Sequence, residues 1–211
     1  DLVPSGATIG LGSGSTFRFV LERLAERLRA GGFEVRGAAT SEATAAAARD
    51  AGVPLVTLDD VDRLDLAIDG ADEVDPQKNL IKGGGGAHVR ERIVADAAKE
   101  MIVVVDDSKL VDVLGKAFLL PVEVLPFGWK QTRRAIEATG CKATLRGAAE
   151  QPFVTDNGNW ILDCKYDGID DAPWLDAHLG GLTGVVDHGL FVGMAGRVVV
   201  GDQNGKVRVI P

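Results

Sequence analysis

Residues 7–39 read ATIGLGSGSTFRFVLERLAERLRAGGFEVRGAA, and this stretch decides the fold. Ala7 to Leu11 is a short apolar run that predicts a buried strand ending at Gly12. From about Ser15 to Ala30, Phe19, Val20, Leu24 and Leu28 recur at helical spacing, with Glu22, Arg23, Glu26, Arg27 and Arg29 between them. Gly31-Gly32 stops that helix, and Phe33 to Ala39 reads as a second strand. Strand, helix and strand in so short a span describe a crossover unit whose two strands run parallel.

Working outward, the alternation continues. Ser41 caps an alanine-rich helix through Asp50, which Gly52 ends. Val53–Leu58 and Leu64–Ile68 read as strands, the latter running into Asp69. A glycine run leads into a helix from about Ala87 to Lys99, and Met101–Val105 is an aliphatic strand. Such alternation predicts a parallel sheet covered on both faces. Right-handed crossovers then put every strand-to-helix loop along one edge.

Near Phe118 the pattern changes. Leu119–Leu125 reads as a strand, and Pro121 predicts that it is an edge. A helix over Trp129–Thr139 follows, then strands over Cys141–Arg146 and Phe153–Tyr166, the latter turning at Asp156-Asn157-Gly158-Asn159. A helix over Pro173–Leu179 and a strand over Val185–Val192 complete this section. Arg197–Val200 and Lys206–Ile210 form a hairpin able to return to the first sheet. The expectation is an α/β fold: a Rossmann-like, mostly parallel sheet with helices on both faces, plus a smaller inserted α+β domain. The boundaries are residues 1–118 with 197–211, and 119–196.

Composition bounds the function. The 211 residues are 45% hydrophobic and 26% charged with a net charge of -8, which excludes a disordered chain. No apolar run reaches the roughly 18 to 20 residues of a membrane-spanning helix. The acidic balance argues against a nucleic-acid partner. Two cysteines, Cys141 and Cys164, make neither a disulfide framework nor a zinc site, and a reducing cytoplasm is expected. Glycine is the outlier, at 27 residues against a usual share of roughly 7%. Two clusters stand out: Gly10, Gly12 and Gly14, and the unbroken run Gly83–Gly86.

The first cluster, Gly10-Leu11-Gly12-Ser13-Gly14-Ser15-Thr16, joins a strand to a helix. Free amides and the dipole at a helix start favour an anion, and three hydroxyls lie beside them. A tight turn with Ser15 as helix cap is the plainer alternative. No lysine is present for a P-loop, and Ser15 occupies the third glycine position of a dinucleotide fingerprint. The second feature, Asp69-Gly70-Ala71-Asp72-Glu73, crowds acids at a strand end, as proton transfer or hydroxyl binding requires. The third is Lys82-Gly83-Gly84-Gly85-Gly86, a lysine in bare backbone able to neutralise a developing oxyanion. Glu91 follows in the first turns of a helix, where the dipole favours a carboxylate, and is a candidate base. Arg90 and Arg92 read as surface partners for acids. The fourth, Asp106-Asp107-Ser108-Lys109, puts Lys109 at a strand end within reach of an anion. Histidines and cysteines lack the spacing of metal ligands, so neither metal nor cofactor is expected.

Together and in order, these motifs resemble the ribose-5-phosphate isomerases of the A type. The resemblance continues through Leu119-Pro121-Val122-Glu123-Val124 and Val154-Thr155-Asp156-Asn157-Gly158-Asn159, covering nearly the whole chain. It implies interconversion of ribose 5-phosphate and ribulose 5-phosphate through an enediol(ate), without a metal, in a homo-oligomer, dimer or tetramer. It makes Glu91 the base between C2 and C1, with Asp69, Asp72 and Lys82 handling ring opening and enediolate charge. Ser13, Gly14, Ser15, Thr16, Gly70, Ala71, Gly83, Gly84, Gly85 and Lys109 become substrate contacts. The family pattern includes an N-terminal helix whose lysine helps bind phosphate, and this sequence starts after it. His88 stands where the pattern has a small or aliphatic residue, and it reads as a helix-surface position. The alternatives are a sugar-phosphate deaminase or lactonase, a non-catalytic sugar-phosphate sensor, and a CoA-transferase relative.

Overall fold

A computed structural model describes residues 2–148 and 150–211. In chain order the strands are β1 (Ala7–Leu11), β2 (Val35–Ala39), β3 (Leu66–Asp69), β4 (Glu73–Val74), β5 (Leu80–Ile81), β6 (Met101–Asp106), β7 (Leu120–Val124), β8 (Lys142–Leu145), β9 (Gly147–Ala148), β10 (Gln151–Pro152), β11 (Trp160–Lys165), β12 (Val185–His188), β13 (Leu190–Phe191), β14 (Ala195–Gly201) and β15 (Val207–Ile210). The helices are α1 (Gly14–Ala30), α2 (Glu42–Asp50), α3 (His88–Asp96), α4 (Trp129–Glu137) and α5 (Ala172–Gly180). The chain divides into two units: Asp1–Gly70 with Arg90–Asp107 and Met194–Pro211, and Ala71–Val89 with Ser108–Gly193.

The first unit holds a sheet in the order β15-β14-β6-β3-β1-β2. Every neighbouring pair is parallel except β14 with β15. Side chains alternate between its faces, so Ile9 and Leu11 pack with Phe17, Leu21 and Leu24 of α1 on one side. On the other, Ala38 and Ala67 pack with Val94 of α3 and with Ala98. Helices therefore cover both faces, as the βαβ reading requires. Ser41 caps α2 as expected, its Oγ accepting the Thr44 N–H at 3.0 Å.

Val53–Leu58 is not a strand. It makes one parallel bridge, Gly37 with Leu55, and then enters a 3-10 turn over Leu58–Asp60. Pro54 within it has no N–H to give a ladder.

The second unit contains a sheet in the order β12-β7-β11-β8 and another in the order β13-β5-β4. Its core gathers Leu120, Val122, Val124, Ile136, Leu162, Leu175 and Leu179. Here the expected edge strand is interior, since β7 pairs with both β11 and β12. Pro121 is tolerated because its missing N–H falls beyond the end of β12. On that side its carbonyl instead accepts the Gly189 N–H at 2.7 Å. The single strand expected over Val185–Val192 is broken at Gly189 into β12 and β13, which join different sheets.

Domain boundaries differ from the sequence expectation. Segments 71–89 and 108–118, read as part of the first domain, belong to the second unit. Their backbone bonds go there: β5 pairs β13, and Val74 bridges Leu110. Among the described residues no helix is long and apolar enough to cross a membrane.

Candidate active site

In the first unit, β1 and β3 end side by side, with Gly12 N–H donating to the Ile68 carbonyl at 2.9 Å. Asp69, at the end of β3, is 3% exposed. Its Oδ1 accepts the Ser13 N–H at 2.9 Å and the Gly70 N–H at 2.8 Å. Gly12 permits this closeness, because a Cβ there would fall inside the Asp69 carboxylate and 2.6 Å from its Cα. Ser13, at the cap position of α1, makes no side-chain cap bond. Its hydroxyl instead donates to Oε1 of Glu91.

Glu91 lies in the first turn of α3 and is 5% exposed. Ser13, Asp69, Gly70 and Glu91 are thus one connected set. Thr16 lies against Gly70, 3.9 Å from where a Gly70 Cβ would stand. Gly14 and Ser15 are exposed in the first turn of α1, whose N–H groups have no acceptor four residues back. No acidic side chain occupies that turn, so the helix start retains its preference for an anion. Ser15 is not the cap, as the plainer sequence reading had it; it stands within the helix.

In the second unit, the Asp72 N–H donates to the Ile81 carbonyl, and the Lys82 N–H to the Gly189 carbonyl, both at 2.8 Å. Lys82 is 3% exposed, with its Nζ 5.6 Å from the centroid of the Phe191 ring. The glycine run turns back on itself, Gly86 N–H donating to the Gly83 carbonyl at 2.9 Å. Gly83 and Gly86 have φ of +95° and +81°, a region that disfavours side chains. The Gly84 N–H donates to Asp72 Oδ2 at 2.9 Å. Asp72, Lys82, Gly83 and Gly84 are therefore a second connected set, with Gly85 exposed beside them. Ala71 is half-buried, directly after Gly70. Lys109, also half-buried, closes a 3-10 turn over Asp107–Lys109 after β6.

His88 is not on the helix surface. It is fully buried at the start of α3, its Nδ1 2.6 Å from where a Gly83 Cβ would project. An unsubstituted Gly83 is what makes room for the ring. Arg90 pairs with Glu42 at 2.8 Å, a surface partner as expected, and Arg92 Nη1 meets the Met194 sulfur at 3.5 Å.

The acidic crowd at 69–73 separates by role. Glu73 is structural. Its carboxylate accepts the Gly115 N–H at 2.7 Å and the Phe118 N–H at 2.8 Å, tying down a loop. Glu123 is likewise structural: its Oε1 accepts from Thr155 Oγ1, Asn157 Nδ2 and Asn159 Nδ2, which explains the Thr-Asp-Asn-Gly-Asn motif as a hairpin clamp. Among the described residues no group of three or more His, Cys, Asp or Glu is arranged to hold a metal ion.

An open, mostly parallel sheet with a helix start that favours an anion and a buried carboxylate, Asp69, at the end of β3 is the frame of an α/β enzyme. Residues 36–205 match the family model "Ribose 5-phosphate isomerase A (phosphoriboisomerase A)". A ribose-5-phosphate isomerase A of Trichodesmium erythraeum is 50% identical over 97% of this chain and 88% of its own length. One from Rhodopseudomonas palustris is 53% identical over 96% and 90%. Among solved structures, a D-ribose-5-phosphate isomerase in complex with phospho-erythronic acid superposes with a TM-score of 0.95 at 38% identity, covering 99% of this chain and 92% of that one. The ribose 5-phosphate isomerase A of Methanocaldococcus jannaschii gives 0.93 at 40%, with the same coverage. The chain belongs to the ribose 5-phosphate isomerase A family.

Proposed function

We propose that this chain interconverts ribose 5-phosphate and ribulose 5-phosphate through an enediol(ate), with Glu91 as the base. Family membership supports the reaction. The observation that carries the assignment of the base is the bond from the Ser13 hydroxyl to the buried Glu91 carboxylate. Asp69 orders the same loop through the Ser13 N–H. One Glu91 oxygen is thereby oriented, and the carboxylate is shielded from bulk water.

The furanose ring opens with help from Asp69 and Asp72, which exchange protons with the ring oxygen and the C1 hydroxyl. Glu91 removes the C2 proton of the open aldehyde, and the C2–H electron pair becomes the C1–C2 double bond while O1 gains charge. The Lys82 ammonium offsets that charge. The O2 hydroxyl proton then passes to O1, which becomes the C1 hydroxyl, and as the O2 electron pair forms the C2 carbonyl the C1–C2 double-bond pair takes the proton back from Glu91 at C1. A positioned base contributes about 10² to 10⁴-fold. Ser13 to Thr16 and Lys109 hold the phosphate and hydroxyls, together with Gly70, Ala71 and Gly83 to Gly85. The chain acts in the cytoplasm as a homo-oligomer, dimer or tetramer, which light scattering measures directly.

The test is a ribulose 5-phosphate assay with a chelator present, comparing wild type with Glu91→Ala and offering glucosamine 6-phosphate and a phosphogluconolactone as rival substrates. Turnover of ribose 5-phosphate alone is expected. Equal rates for wild type and Glu91→Ala remove Glu91 from the base role.

A further inference from the structure

We propose that Arg146 is a positioning residue that sets the shape of the Gly83–Gly86 run and, through it, the place of the Asp72 carboxylate. This inference rests on the isomerase reading for its kinetic consequence but not for its geometry. Arg146 follows β8 and is pinned by its own backbone, its N–H donating to the Ile161 carbonyl at 2.8 Å and its carbonyl accepting the Phe153 N–H at 2.9 Å. Its guanidinium grips Asp163 in a fork, Nε to Oδ2 at 3.0 Å and Nη2 to Oδ1 at 2.6 Å. Both side chains are only 18% exposed. The remaining nitrogen, Nη1, donates to the carbonyls of Gly83 and Gly84, each at 3.1 Å.

Two consequences follow from the planar trans peptide, whose C=O and N–H point in opposite directions. With the Gly83 carbonyl held on Arg146, the Gly84 N–H is turned the other way, and there it meets Asp72 Oδ2 at 2.9 Å. With the Gly84 carbonyl held too, the Gly85 N–H is also turned away from Arg146. A run of glycines has the most backbone freedom to lose, so an external clamp is what gives it one conformation. Arginine suits this task because its rigid fork serves the carboxylate and both carbonyls at once. Lysine offers a single point from which its donors radiate and cannot span the three acceptors.

The experiment compares wild type, Arg146→Ala and Arg146→Lys by steady-state kinetics on ribose 5-phosphate and by amide hydrogen exchange, with thermal unfolding to verify folding. For Arg146→Ala, kcat is expected to fall about 10²-fold, the scale of roughly ångström misplacement of reacting groups, and KM to rise as well, because Gly83 to Gly85 are among the proposed substrate contacts. Exchange in the peptide spanning residues 82–87 should quicken at least about tenfold while the β1 peptide is unchanged. Arg146→Lys keeps a cation beside Asp163, so it guards against a variant that fails to fold. It should lose kcat and protection in the same direction. A folded Arg146→Ala or Arg146→Lys with wild-type kcat, or with unchanged exchange over 82–87, overturns the proposal. If wild type does not turn over ribose 5-phosphate while exchange still responds to Arg146, the clamp stands and the isomerase reading falls.

Discussion

Gly12 and Gly83 both lie beside candidate functional residues, yet each is glycine for a different physical reason. At Gly12 the conformation is one that any residue adopts, and the obstacle is space, since a Cβ would enter the Asp69 carboxylate. At Gly83 the obstacle begins with the backbone, whose φ is +95°, and is compounded by the buried His88 ring. The two loops are also stiffened differently. The first is held from within by buried side chains, Asp69 on the Ser13 N–H and Ser13 on Glu91. The second is held from outside by one arginine on two carbonyls. Similar glycine-rich strings therefore encode a tightly packed loop in one case and a clamped turn in the other.

The largest expected effect separates the loops by chemistry. Glu91→Ala should lower kcat by about 10² to 10⁴-fold with little change in Tm, as the coupled assay and a thermal scan will read. Next comes Gly12→Ala, which forces Asp69 to move. It should cost about 1–3 kcal/mol in a denaturant titration and lower kcat as well. Equal stability of Gly12→Ala and wild type would break the packing account of the first loop.

The glycine run offers a finer contrast. Gly83→Ala meets both strain and a clash and should cost about 1–3 kcal/mol. Gly85→Ala, with nothing within 4 Å of its new methyl, should change stability by less than about 0.5 kcal/mol. Similar costs for the two would show that conformation is not what selects glycine there. The smallest effect is at the acid limb of stability. Hydrogen bonds from Arg197 hold the Glu100 carboxyl below its ordinary range, and those from Lys99 and Thr8 do the same for Asp65. Because these pKa values are depressed in the folded state, the stabilisation is present above the ordinary carboxylate range and is lost as pH falls through the lowered values. Both pairs are a third or more exposed and screened by water, so Glu100→Gln should flatten the fall in Tm below about pH 4 only slightly.

Much of this was legible in the chain. β1 and α1 follow from a run of apolar residues and a helical period, and they appear within a residue of the expected bounds. Ser41 as a cap, and the hairpin turn at 156–159, were readable because their chemistry is local, as the Thr155 N–H on the Asn159 carbonyl shows. Local rules misled where partners are distant. Pro121 suggested an edge, but a proline in an interior strand is allowed when the neighbour on its N side has ended. Val53–Leu58 has strand composition but only one bridge. His88 looked like a helix-surface residue, and only packing against Gly83 explains its burial. Arg146 gave no signal at all, since its partners Asp163, Gly83 and Gly84 are remote in the chain.

By itself the sequence determined the alternation of strands and helices, the anion-favouring helix start after β1, and the set of acids and lysine from which the proposed chemistry is drawn. Those properties depend on period, turn residues and side-chain type, all carried by neighbours in the chain. Tertiary structure alone decided which acid does what. Asp69, Asp72 and Glu73 lie within five residues of one another, but each answers to donors brought from elsewhere: Ser13 for the first, Gly84 for the second, Gly115 and Phe118 for the third. A carboxylate's role is set by the groups that hydrogen-bond to it and by its access to water, and both are consequences of long-range packing.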